Sequence, residues 1–388
     1  MGRLPVKASV AVGRLLHRRR RELGWSLQET SDRLFEDKNH RIPPSTLAKI
    51  ERGRLDPGVR RLHYLLSLLG IPSPLIADLV EIENLTEGVE VDASVPLETL
   101  YKEGTKHWKS GNVAKGMAYL LAVWERSPTT IESKVLRQKA MQSSAVAVRN
   151  LGKFNLAHHI MTELLCEPPD PSLIVPVLLL GASTFRGLGA TAGALAFANY
   201  AEDLVDPDNH QDVAWVLHQK ATLLLESGEL EEADKTAQDA VKAYRRLSDR
   251  YGEVRALVLR ARVAEESREI DGAIRYAKQV ISLSKRHRLG RALVYGYITL
   301  GHLRIVSGAT AKGTELLNLA LSEAVAMQDS NAEFLAHYHL WKAHSATGDS
   351  DRAEFELHAA SFFVRKIDDK SPEADEIRKL IKEGKRKS

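Results

Sequence analysis

Apolar residues recur at three- and four-residue intervals along the chain and almost never alternate, which predicts helices throughout and no sheet. Val12, Leu15, Leu16 and Leu23 mark a first helix over 10–23, stopped by Gly24. Ser26-Leu27-Gln28-Glu29 has the form of a capping box and opens a second helix to about Phe35. The polar run 36–43 reads as a loop ending in Pro43-Pro44, and Pro44 suits the first turn of a third helix, 45–52, stopped by Gly53. Pro57 opens a fourth helix, 58–69, with Leu62, Leu65, Leu66 and Leu69 as its apolar face; Pro72 and Pro74 open a fifth, to about Leu85.

Farther along, a longer period takes over. Small residues recur at Gly104, Ala145, Ala182, Ala221, Ala261 and Gly301, with Trp341 in the seventh place, at spacings of 37 to 41 residues. A second small position follows twelve later each time, at Gly116, Ala157, Ala194, Ala233, Ala273, Gly313 and Ala353. Between them lie turn residues: Gly111-Asn112, Gly152-Lys153, Gly189, Gly228-Glu229, Arg268-Glu269, Gly308 and Gly348-Asp349. This pattern predicts seven helix–turn–helix hairpins, stacked so that their small residues let paired helices approach and bury a continuous core.

Charge separates the two regions. The 388 residues carry a net +4, but residues 1–70 hold +8 and residues 377–388 hold +5, leaving −9 between them. A basic head suits a polyanion such as DNA, whereas an acidic body is repelled by it. The basic run Arg18–Arg21 reads as mostly a solvated face, and Glu51 as a cap or ion-pair residue. The single cysteine, Cys166, excludes an internal disulfide and a Cys-based zinc site. No apolar run reaches the roughly 18 residues of a membrane span, and Val10–Leu16 runs straight into arginines rather than a cleavage site. A cytoplasmic protein is expected, with no cofactor and no membrane partner. No H-E-x-x-H, G-x-S-x-G or P-loop motif is present, so no enzyme is expected. Gly187-Leu188-Gly189-Ala190-Thr191-Ala192-Gly193 imitates a nucleotide loop, but its spacing is wrong and no strand–helix alternation surrounds it.

Gly24-Trp25-Ser26-Leu27-Gln28-Glu29, then Ser45-Thr46-Leu47-Ala48-Lys49-Ile50-Glu51-Arg52-Gly53 and Pro57, resembles the XRE helix-turn-helix family of bacterial and phage repressors, over about residues 8–71. The chain departs from the pattern in a longer turn before the third helix and in Pro43 and Pro44. The resemblance implies a lambda-repressor-like bundle whose third helix lies in the DNA major groove. Ser45, Thr46 and Lys49 share one face of that helix, while Leu47 and Ile50 point inward. Lys49 is the candidate for guanine O6/N7, and Ser45 or Thr46 for a base or a phosphate. Gln28, Arg41, Arg52, Arg54 and Arg60 are phosphate candidates, the amides near Gly58 a helix-terminus anion site, and Lys38, Asn39 and His40 candidates for a groove edge. A bundle that binds only protein is the alternative for this head.

Ala221…Gly228-Glu229-Leu230-Glu231-Glu232-Ala233…Ala237…Ala240 resembles a tetratricopeptide repeat, and the looser matches extend over about 97–368. That resemblance implies a concave groove holding a peptide or protein segment. Counted from the small positions, the groove residues are Trp108, Arg149, Asn150, Arg186, Trp215, His218, Arg255, Arg262, Tyr295, His302, Tyr338 and Lys342. The arginines and Lys342 favour a carboxylate; pairing with Glu226, Glu265 or Glu266 is the bland alternative. The expected fold is therefore all-α, with a helix-turn-helix head at 1–71 and a linker helix at 72–94. A tetratricopeptide-like α-solenoid of about seven repeats follows at 95–370, then a capping helix and basic tail at 371–388, loose from Gly384. Together these resemble bacterial regulators that sense short signalling peptides. The resemblance implies a homodimer that binds double-stranded DNA under control of a peptide or protein ligand. A scaffold recruiting a partner to DNA, or a phage or toxin–antitoxin repressor, are the alternatives.

Overall fold

The tight helix crossings that the small residues promise are present in the computed structural model, which describes residues 6–38, 40–127 and 131–387. The described residues form helices and their connections, without a strand. The chain divides into two compact units, 1–88 and 89–388.

In the first unit, α1 (Val6–Glu22), α2 (Leu27–Lys38), α3 (Pro44–Glu51), α4 (Gly58–Leu69) and α5 (Ser73–Thr86) surround a core of Leu15, Leu16, Leu34, Ile42, Leu47, Ile50, Leu65 and Leu69. The capping box forms reciprocally: the Glu29 amide donates to Ser26 Oγ at 3.0 Å, and the Ser26 amide to Glu29 Oε2 at 3.3 Å. The second helix runs a turn farther than the pattern suggests, so the connection to α3 shortens to 39–43. Where α1 crosses α3, a methyl group on Gly13 would collide with the main-chain carbonyls of Ile50 and Glu51, so only glycine permits this crossing. The segment read as a linker, 72–94, is divided: α5 packs on α1 with Leu75, Ile76 and Ile82 buried, and 89–94 belong to the second unit.

The second unit holds seven hairpins: α6 (Leu97–Ser110) with α7 (Val113–Arg126), α8 (Ile131–Asn150) with α9 (Phe154–Leu165), α10 (Ile174–Gly187) with α11 (Thr191–Leu204), α12 (His210–Ser227) with α13 (Leu230–Arg246), α14 (Arg250–Glu266) with α15 (Ile270–His287), α16 (Gly290–Val306) with α17 (Thr310–Met327), and α18 (Ser330–Thr347) with α19 (Ser350–Phe363). The long period resides in the helices, which reach 20 residues in α8 and 18 in α12, α15, α17 and α18. Left-handed backbone stands at each turn the sequence marks: Gly111, Gly152, Gly189, Gly228, Arg268, Gly308 and Gly348 all have positive φ. Ala145, Ala182, Ala221, Ala233, Ala261 and Ala273 are fully buried where helices meet.

The first helices of successive hairpins touch one another from α6 to α18 and so form the inner wall of the superhelix. That superhelix winds back on itself. The start of α16 lies against the end of α6, where a methyl group on Gly290 would strike the Ser110 carbonyl. The exit segment after α19 crosses the turns of the second and third hairpins: the Asp368 amide donates to the Gly152 carbonyl at 2.7 Å, and the Lys370 amide to the Gly187 carbonyl at 2.9 Å. A last helix, α20 (Pro372–Lys387), anchored by buried Ala374 and Ile377, continues through Gly384, where the sequence suggested a loose tail. No helix among the described residues is long and apolar enough to cross a membrane.

Candidate functional site

Pro43 and Pro44 shape the start of α3. Pro43 is extended, with φ −56° and ψ 144°, and its carbonyl accepts from the amides of Thr46 and Leu47 at 2.9 and 3.0 Å. Leu47 and Ile50 then face the core, Ser45 and Lys49 are exposed, and Thr46 is half-buried. Arg41, Arg52, Arg54 and Arg60 are exposed, and Arg60 Nε donates to Tyr64 Oη at 3.1 Å. Gln28 is exposed too, its amide donating to both oxygens of Asp32 at 2.9 and 3.1 Å.

Two expectations for the head, the open Gly58 amide and the solvated arginine face, differ from the structure. The Gly58 amide is not open to an anion, because it donates to Asp56 Oδ1 at 2.8 Å. His40 lies against the Tyr64 ring, 5.2 Å between centroids, while Asn39 and the side chain of Lys38 fall outside the described residues. The run Arg18–Arg21 is not a uniform solvated face. Arg18 Nε and Arg19 Nη1 donate to Glu22, and Arg19 Nε donates to the Leu69 carbonyl at 3.1 Å. Arg20 is buried and forks onto Glu51 at 2.6 and 2.8 Å, with a third bond to the Trp25 carbonyl. His17 Nδ1 lies 2.7 Å from the same carboxylate. Burial alone would raise the Glu51 pKa, yet the hydrogen bonds from Arg20 and His17 outweigh it and hold the carboxyl below its usual range. Glu51 therefore ties α3 to α1, as an ion-pair residue.

In the second unit the inner wall gathers Arg149 and Asn150 from α8, Arg186 from α10, His218 from α12, Arg255 from α14 and Tyr295 from α16. Arg149 donates to Ser183 Oγ and, at 2.9 Å, to Asn150 Oδ1. Arg255 Nη2 donates to His218 Nε2 at 3.3 Å. Burial, then the charges of Arg255 and Arg186, push Arg149 down to about 9. The same burial and the neighbouring Arg255, Arg186 and Arg149 hold His218 well below the usual histidine range, so it stays neutral.

Beside this cluster stands a residue the sequence pattern did not single out. Arg291, at the start of α16, bonds the Asn150 carbonyl, lies over the rings of Trp108 and Tyr295, and pairs with Asp329 at 2.8 Å. It thereby pins the sixth hairpin to the first two. Tyr251 and Arg291 stand ten residues before Ala261 and Gly301, on the stripe that gave Arg255 and Tyr295 at six before. Extending that stripe toward the helix start would have found them.

Other expected groove residues sit elsewhere. Trp215 packs on the core formed by Ala240, Val241, Tyr244 and Leu257. Arg262 is exposed, and the bland reading fits His302, which bonds Glu265 at 2.6 Å and lies 4.4 Å from the His339 ring. Tyr338 does not face open space: it is buried, its hydroxyl donating to Glu376 at 2.7 Å, and Lys342 reaches the same carboxylate at 2.8 Å. Helix α20 thus covers the inner face of the seventh hairpin, which repeat counting alone could not reveal.

Residues 11–79 match a family described as a helix-turn-helix domain. Comparison with curated proteins finds no significant match. Among solved structures, a Rap protein complexed with competence and sporulation factor is similar at TM-score 0.55 and 11% identity, over 70% of this chain and 76% of that one. Bacillus thuringiensis PlcR, in complex with the peptide PapR7 and DNA, is similar at TM-score 0.36 and 13% identity, over 84% and 98%. The apo form of the competence regulator ComR from Streptococcus vestibularis gives 0.29 and 13%, over 97% and 98%. Residues 11–79 thus match a helix-turn-helix domain, and the helical-hairpin repeats share their fold with a Rap protein.

Proposed function

We propose that this protein is a sequence-specific transcription regulator, acting as a homodimer, whose repeat channel binds a peptide or protein segment that changes DNA binding. The observation that carries the DNA half is the helix-turn-helix match over 11–79, combined with an α3 that turns Ser45 and Lys49 outward from a core holding Leu47 and Ile50. Lys49 reads a base edge, Ser45 and Thr46 a base or a phosphate, and Gln28, Arg41, Arg52, Arg54 and Arg60 grip the backbone. Two heads meet half-sites about one helical turn, ~34 Å, or a multiple of it apart. The ligand half is supported by the polar inner wall around Arg149, Asn150, Arg186, His218 and Arg255. It is also supported by the fold shared with a Rap protein solved in complex with competence and sporulation factor.

Genome-wide binding and gel shifts with the full chain test the DNA half. A defined operator is expected, and uniform binding to all duplexes contradicts the proposal. Lys49→Ala is expected to cost about 1–3 kcal/mol on the operator and to relax specificity at one base pair. Equal weakening on every sequence makes Lys49 a phosphate contact instead. Mass spectrometry of co-purified material tests the ligand half: a short peptide supports a sensor, and a whole folded protein supports a scaffold.

A further inference from the structure

We infer that the channel is built for an acidic peptide segment, whose carboxylates are held by Arg149, Arg186 and Arg255 beside His218. This rests on the peptide-binding reading above and specifies the ligand's chemistry.

Where the arginines find their partners carries the inference. Elsewhere in this unit, arginines meet carboxylates: Arg291 with Asp329, Arg260 with Asp234, and Arg245 and Arg250 together on Glu253. On the inner wall the acceptors of Arg149 and Arg255 are neutral. Arg149 bonds a serine hydroxyl and an amide oxygen, and Arg255 bonds an imidazole nitrogen. Among the described residues neither forms an ion pair. Arg186 reaches Glu226 at 2.8 Å, but that pair is exposed and leaves the buried Arg186 Nε without an acceptor. Asp369 lies within the field of Arg186, and burial lifts its carboxyl above the usual range. Acid is not scarce in a body of net charge −9, yet none pairs with Arg149 or Arg255 among the described residues.

Two buried donors beside Arg149 and Arg255 lack acceptors. Arginine can only donate, so His218 Nε2 must accept from Arg255 and the ring proton sits on Nδ1. That buried Nδ1–H has no acceptor, and neither has Arg186 Nε. A wall short of acceptors and rich in guanidinium groups, enclosed by its own superhelical turns, complements carboxylates, which guanidinium forks bind with two parallel bonds. Enclosure strengthens each such bond because less water screens it. The site also meets the closure of the superhelix: Asn150 takes Arg149 on its side chain and Arg291 on its main-chain carbonyl.

The test uses the full-length protein and three fluorescent heptapeptide pools, matched in hydrophobicity and carrying net charges of about −4, 0 and +4, with citrate as a small probe by calorimetry. The acidic pool is expected to bind at least about tenfold tighter than the neutral pool, and the basic pool more weakly than either. Arg149→Gln and Arg255→Gln are each expected to erase that tenfold preference, weakening the acidic pool at least about tenfold more than the neutral one. Arg149→Lys retains part of it, and Arg262→Gln leaves it intact. Circular dichroism establishes that each variant is folded. Equal binding of all three pools, or an acidic preference that survives both glutamine variants, overturns the inference and leaves the peptide reading standing. Citrate binding without peptide binding supports the anion site and removes the peptide reading; no binding of either removes both.

Discussion

Arg20 in the head and Arg149 in the repeat channel are both enclosed arginines, and they are treated in opposite ways. Arg20 is 6% exposed and forks onto a carboxylate that is itself only 9% exposed. Its charge is held and the pKa of Glu51 is pulled down. Arg149 is bonded to neutral oxygens among other arginines, and its own pKa falls to about 9. A buried charge with its counter-charge is a strut between helices. One left with neutral partners and like-charged neighbours is a cost to the folded state, of the kind that binding sites carry. The head thus neutralises Arg20 with a carboxylate, whereas Arg149 in the repeat unit has none.

The largest expected effect breaks the strut. Glu51→Gln leaves Arg20 buried without a counter-charge and should cost about 3–5 kcal/mol, read by urea denaturation through Trp25 fluorescence. Arg149→Gln should change stability by less than about 1 kcal/mol, because relief from the neighbouring arginines offsets the hydrogen bonds to Ser183 and Asn150 that it loses. Equal losses from the two substitutions would erase the contrast. Next comes Gly13→Ala, whose methyl meets unyielding main-chain carbonyls of α3; about 1–3 kcal/mol is expected, together with loss of operator binding at elevated temperature.

Acid separates the units further. The lowered pKa of Glu51 gives the head stability that is complete above the ordinary carboxylate value of 4.5 and lost as pH falls through its lower folded value. Histidines held neutral behave differently: His218 is depressed, and His339 falls to about 3 through burial and the nearby His302 and Lys342. Below 6.5 the unfolded chain takes up protons that these folded rings refuse. The repeat unit should therefore lose protection between about pH 6.5 and 3, before the head does, as read by hydrogen exchange on peptides from each unit. The smallest change is Arg268→Gly, which relieves a left-handed residue at φ 61°. It should add about 0.5–1 kcal/mol to the repeat unit, read as a small rise in its melting temperature.

Much of this was legible from spacing. The seven hairpins, their turns, the buried face of α3 and the capping box at Ser26 all follow from patterns a few residues long. Glu51 as a pairing residue was legible too, although its partner lay in a basic run that looked like surface. Less accessible were the residues whose environment depends on distant chain. Tyr338 counts as a groove residue until α20 folds over it, and His302 until Glu265 reaches it. Gly58 opens a helix whose free amide is claimed by Asp56 two residues before.

Helix periodicity, small packing positions and αL turn residues are local properties, because each is enforced by backbone sterics and nearest-turn contacts. By itself, then, the sequence determined an all-α chain, a basic five-helix head and a seven-hairpin solenoid. The meeting of Arg291 with Asn150, 141 residues apart, belongs to a different class. It depends on the pitch of the superhelix, a small rotation summed over several repeats, which no single repeat encodes. Only the tertiary structure decided that the solenoid would wind back on itself, and that Arg149 and Arg255 would converge with Arg186 while bonding only neutral acceptors themselves.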